Sequence, residues 1–156
     1  MQSNVIHIEA KNIEKTKEIA SKIGNLIKKK YIRTLYFKGS IGAGKTTLIR
    51  FILKYLGVNV IIKSPTFSII ESYETELFEI FHMDFFRFKD PTLWRIEETR
   101  SVFENNKCLI FLEWPDKAYN LPEPDLLVEI FWDLSNNQSD LRLINIKGSN
   151  IINIFK

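Results

Sequence analysis

The chain has 156 residues, 45% of them hydrophobic and 26% charged, with a net charge of +3. That length suits one domain, residues 1–156, able to bury a core without staples; that composition excludes a disordered chain and a low-complexity fibre. No apolar run reaches the ~18 residues that span a bilayer, and the N-terminus lacks a secretion signal. The one cysteine, Cys108, excludes an intrachain disulfide and a four-cysteine zinc site. A cytosolic protein with no membrane attachment is expected.

The charge is unevenly spread. Residues 1–63 hold 13 Lys/Arg and 3 Asp/Glu, whereas residues 64–156 hold 9 and 16. A basic half suits an anionic ligand. Interleaving of the two halves in one sheet would instead mix the charges in space.

In chain order, residues 5–8 read as a short strand. Ile13, Ile19, Ala20, Ile23, Leu26 and Ile27 recur at helical spacing, with Asn12 as N-cap. Lys28, Lys29 and Lys30 end that helix, where cations complement its dipole. Residues 34–37 read as a buried strand. A glycine-rich turn follows, then a helix over 45–56 stopped by Gly57. Further strands are expected at 58–62, 67–73, 78–83, 108–112, 126–132, 141–146 and 151–155. A third helix is expected to begin near Pro91 and Thr92. The short gap between 67–73 and 78–83 implies a hairpin, and so a mixed sheet.

The strongest signal is residues 39–46, GSIGAGKT, which fit G-x-x-x-x-G-K-[ST] in full, with Thr47 next. The motif follows an expected strand and opens an expected helix, the context that confirms it. Glycines such as Gly39, Gly42 and Gly44, with Ala43 between them, let backbone N–H groups converge around phosphates. The helix N-terminus adds positive potential. In such a loop Lys45 reaches the β/γ-phosphates and the Thr46 hydroxyl ligates Mg²⁺.

This chemistry needs a carboxylate near the metal, and two apolar strands end in one. Glu113 follows Leu109-Ile110-Phe111-Leu112, and Asp84 follows Ile80-Phe81-His82-Met83. Glu113 is placed to hold a metal-bound water, and Asp84 to position the attacking water or respond to the γ-phosphate. His82 and Asp84 share a strand face, but two ligands make a poor metal site. His82 is read as a packed or orienting residue, Cys108 as buried and inert. Thr66, in Lys63-Ser64-Pro65-Thr66-Phe67, is a candidate γ-phosphate or Mg²⁺ sensor, a plain turn being the alternative.

These segments together resemble the TsaE (YjeE) family of bacterial ATPases that serve tRNA N6-threonylcarbamoyladenosine synthesis. The string runs GSIGAGKTT at 39–47, KSPTF at 63–67, HMDFFR at 82–87, LEWP at 112–115 and LPEPD at 121–125. The resemblance implies an α/β fold: a single three-layer P-loop NTPase-like domain with a mixed parallel/antiparallel sheet. It implies Mg²⁺-dependent ATP binding, slow hydrolysis to ADP, and action with the TsaD–TsaB complex. That complex, not TsaE, transfers threonylcarbamoyl to adenosine 37 of tRNA. Lys45, Thr46 and Glu113 fall on the family's phosphate and metal positions, Thr66 on its first switch, and Asp84 on its catalytic acid. Asn12 and Arg142 are the base-side candidates. Residues 40–41 and 134–140 depart from the family pattern. Two rival readings share some of these features: a small-molecule P-loop kinase, and a nucleic-acid-binding module gripping phosphates through the basic half.

Overall fold

A computed structural model describes residues 4–29, 32–132, 140–149 and 151. Seven strands form one sheet in the order β1-β7-β6-β2-β5-β4-β3. They are β1 (Asn4–Ala10), β2 (Thr34–Lys38), β3 (Ile70–Glu74), β4 (Glu79–Asp84), β5 (Cys108–Glu113), β6 (Leu126–Trp132) and β7 (Arg142–Gly148). The central four, β6, β2, β5 and β4, are parallel. β1 and β7 on one side and β3 on the other pair antiparallel. The fold is therefore a single α/β domain with a mixed sheet, as the resemblance implied.

Helices cover both faces of the parallel strands. Helices α1 (Ile13–Lys28) and α2 (Lys45–Tyr55) pack on one face. Leu35, Phe37, Leu109, Phe111, Val128 and Ile130 meet them there. The opposite face presents Tyr36, Cys108, Ile110 and Leu112 to Phe85, Trp94 and Val102. The two sets alternate along each strand because successive side chains point to opposite faces. Strand β5 is buried over its whole length, which explains its unbroken apolar run. Each fully buried Phe or Leu contributes roughly 1.5–3 kcal/mol of transfer free energy. Cys108 is buried, its thiol donating to the Val102 and Asn105 carbonyls, and burial pushes that thiol up.

Three expectations need correction. Residues 58–62 form no strand: Val58 and Ile62 are buried, but Asn59, Val60 and Ile61 project outward with no ladder partner. The strand expected over 67–73 starts only at Ile70. The Ile69 amide closes a turn onto the Pro65 carbonyl at 2.7 Å, and Ile69 itself has φ 68°. That turn leaves Phe67 83% exposed. The helix expected at Pro91 is a 3₁₀ turn, Leu93–Arg95, and α3 begins at Glu97 (Glu97–Glu104). The Asp90 carboxylate accepts from both the amide and the hydroxyl of Thr92, an Asx turn that competes with helix at this point. Ile96, at ψ 150°, then breaks the path between the two elements. The hairpin is present as β3–β4. Residues 152–155 of the last expected strand, and 134–139 of the departing stretch, lie outside the described residues.

Candidate active site

The site lies outside the carboxyl ends of β2, β5 and β4, where ligands sit in open parallel sheets. The loop leaving β2 is shaped by its glycines. Gly39 has φ 146°, and a Cβ there would stand 2.4 Å from the Ile130 carbonyl oxygen. Gly44 has φ 107° and caps α2 without a side-chain hydrogen bond, so the first amides of α2 are left to an incoming acceptor.

Lys45 opens α2 and is 4% exposed. Its ammonium donates to the Gly39 carbonyl at 2.8 Å and the Ser40 carbonyl at 2.9 Å. It also lies 4.2 Å from the centre of the Trp114 ring. Burial pushes the Lys45 ammonium below its ordinary range, while the charges of Glu113 and Asp84 oppose that shift. Trp114 reaches this position from a left-handed backbone, φ 60° and ψ 50°.

The two strand-end carboxylates are cross-strand neighbours, Asp84 opposite Glu113 in the parallel β4–β5 register. The Thr46 hydroxyl is 2.8 Å and 3.0 Å from the two Glu113 oxygens and donates to that carboxylate. Glu113 is 2% exposed and also accepts from His82 Nε2 at 2.9 Å. His82 is fully buried, and its Nδ1 has no partner. Asp84 accepts from the Thr66 hydroxyl at 2.9 Å and from the Phe86 amide at 2.8 Å. Burial raises the Asp84 carboxyl above its ordinary range; the Phe86 amide and the Thr66 hydroxyl oppose this, and the neighbouring Glu113 charge adds to it.

Beside the loop is a cavity of about 360 Å³. Asn12, Thr16, Gly42, Thr47 and Arg142 contribute to its wall. Asn12 also caps α1, its side-chain oxygen accepting from the Lys15 amide at 2.9 Å. Arg142 donates from Nε to the Ala43 carbonyl at 3.1 Å and lies over the Trp132 ring at 4.5 Å. Trp132 pairs with Arg142 in the β6–β7 register, so the stack follows from the strand pairing.

The structure thus gathers Lys45, Thr46, Asp84 and Glu113 around the loop, and Asn12, Thr47 and Arg142 along its flank. The bond from His82 to Glu113 was legible only as far as strand alternation: residues 82 and 84 share a face, but the partner lies on another strand. Thr66 lies in the turn closed between Pro65 and Ile69, and from there its hydroxyl donates to Asp84. The donor set at Thr46 and Glu113 is hard oxygen, the type Mg²⁺ prefers. Among the described residues, no group of three or more His, Cys, Asp or Glu is arranged to hold a metal ion.

Comparison with known proteins identifies the family and the fold. The family described as "Threonylcarbamoyl adenosine biosynthesis protein TsaE" matches residues 10–141. A tRNA threonylcarbamoyladenosine biosynthesis protein TsaE from Haemophilus influenzae is 37% identical over 123 residues, covering 78% of this chain and 77% of its own. A protein of the same name from Rickettsia bellii is 35% identical over 136 residues, covering 85% and 88%. The crystal structure of YdiB from Bacillus subtilis shares the fold, with a TM-score of 0.69 over 95% of this chain and 88% of that one, at 22% identity. The chain belongs to the TsaE family of threonylcarbamoyladenosine biosynthesis proteins.

Proposed function

We propose that the protein binds ATP with Mg²⁺ in the glycine loop and hydrolyses it slowly, in step with a TsaD–TsaB complex that modifies tRNA in the cytosol. The observation that carries this reading is the Thr46–Glu113 hydrogen bond beside the buried Lys45 ammonium. A hydroxyl, a carboxylate and a cation converge at a helix N-terminus whose first amides can donate to an anion. Phosphates would replace the Gly39 and Ser40 carbonyls as partners of Lys45. Thr46 and Glu113 would hold Mg²⁺, Glu113 directly or through one water. When bound, the metal neutralises charge developing on the phosphate oxygens.

The remaining steps belong to the chain's own groups. Lys45, screened by the Trp114 ring, supplies positive charge at the phosphates without a water shell. Asp84, held by Thr66 and the Phe86 amide, orients the attacking water. Thr66 reports the γ-phosphate to the 63–67 segment, because its hydroxyl is already bonded to that carboxylate. Asn12, Thr47 and Arg142 would face the sugar and base from the flanking cavity. Arg87 lies over the Phe67 ring at 4.2 Å, and a charge-stabilising arginine could come from it or from the partner.

The test is reconstitution with TsaD–TsaB, threonylcarbamoyl adenylate and tRNA, followed over many turnovers. Wild type should sustain modification only with hydrolysable ATP. Asp84→Ala should bind nucleotide within a fewfold of wild type and fail to sustain turnover. Normal multi-turnover yield from Asp84→Ala would refute its role, and full ATPase activity without partners would refute coupling.

A further inference from the structure

Residues 19–70 carry ten Lys/Arg and no Asp or Glu. The fold collects part of this charge along α2, beyond its first turn and toward its C-terminal end. There Arg50 and Lys54 of α2 form one wall of a groove of about 520 Å³, and the 58–62 segment forms the other. No carboxylate lines it. Arg50, Lys54 and nearby Lys63 are exposed and make no ion pair among the described residues. At its lip Val60 is 64% and Ile61 86% exposed, while Val58 and Ile62 anchor the segment in the core.

We infer that this groove is the docking surface for a partner protein that presents an acidic segment with an apolar centre. Two observations select that occupant. The unpaired cations fit an anionic partner, since complementary charge steers association and fixes register. The exposed β-branched pair gains nothing from a phosphate backbone but suits the apolar centre of a protein interface. An RNA groove would interleave aromatic platforms with its cations, and the groove's lining has none.

The groove is also wired to the active site. Its segment runs into Lys63, whose amide donates to the Tyr73 hydroxyl at 3.0 Å, and three residues later reaches Thr66, bonded to Asp84. A partner seated on Val60 and Ile61 would bear on the chain that delivers Thr66.

The inference rests on the reading that the protein acts with TsaD–TsaB, so purified TsaD–TsaB is the probe. Binding of the full chain to that complex, with ATP and Mg²⁺, is measured at two salt concentrations for wild type, Arg50→Glu/Lys54→Glu and Ile61→Asp. A parallel arm uses tRNA alone. All substituted side chains are exposed, so melting temperature and nucleotide affinity should match wild type. The inference expects each variant to weaken complex binding at least tenfold and the charge variant to flatten the salt dependence. Wild-type binding with undiminished binding by both variants would overturn the groove and leave the partnership standing. Absence of wild-type binding would overturn both. Tight tRNA binding lost in the charge variant would overturn the protein occupant in favour of RNA.

Discussion

His82 donates from Nε2 to Glu113 Oε1 at 2.9 Å, and both side chains are buried. A carboxylate can only accept, so the imidazole fixes Glu113 Oε1, the oxygen that also lies 2.8 Å from the Thr46 hydroxyl, and with it the orientation of the whole carboxylate. Replacing His82 by Phe keeps the volume and removes the donor. Turnover should fall about tenfold or more, with nucleotide affinity changed little, because a mispositioned carboxylate acts mainly on the transition state. His82→Gln, which restores an N–H, should recover part of the loss. Steady-state kinetics and equilibrium nucleotide binding on both variants check this; equal losses in Phe and Gln variants would show a packing effect only.

Trp114 holds its ring over Lys45 and against Phe86, the latter with centroids 5.0 Å apart. A cation–π contact in a desolvated site is worth about 0.5–2 kcal/mol. Trp114→Ala should therefore weaken nucleotide binding about 2- to 30-fold. Trp114→Gly should melt higher than Trp114→Ala, because only glycine adopts the left-handed backbone without cost. Paired melting and calorimetric titrations read both effects.

Asp84 is buried, and burial raises its carboxyl above the ordinary 3.8. The folded protein therefore holds this proton to higher pH than the unfolded chain. Below 3.8 both states are protonated and there is no penalty; as pH rises through the raised folded value, stability is lost. Asp84→Asn removes the charge, keeps one oxygen to accept from the Phe86 amide, and turns an NH2 toward the Thr66 hydroxyl, which can rotate to accept from it. It should melt above wild type at pH 7, and the gap should close as pH falls toward 4. A gap independent of pH would contradict the burial account.

The loop, the two strand-end acids and the buried strand β5 were legible because each rests on local pattern. Residues 39–46 match a motif of fixed spacing, and β5 declares itself by an unbroken apolar run. The errors arose where tertiary context overrides local preference. Residues 58–62 are rich in β-branched side chains, yet β3 occupies the sheet edge beside β4, and the segment has no ladder to join. Pro91 marks a helix start in sequence, but the Asp90 side chain closes a turn onto Thr92 first. The bond between His82 and Glu113 spans 31 residues and two strands, and no spacing rule reaches it.

Lys45 is the group on which the nucleotide reading most directly depends. Its ammonium is buried, held by two loop carbonyls, and stands at the start of the only helix that the glycine loop opens. Lys45→Ala removes that charge and leaves the exposed surface unchanged. Calorimetric titration of ATP with Mg²⁺ into wild type and Lys45→Ala is the decisive measurement. The account predicts saturable binding by wild type and a loss of about a hundredfold or more in the variant, the scale of a charge-assisted phosphate contact in a buried site. Equal affinity in the two proteins, or no binding by wild type, would contradict it.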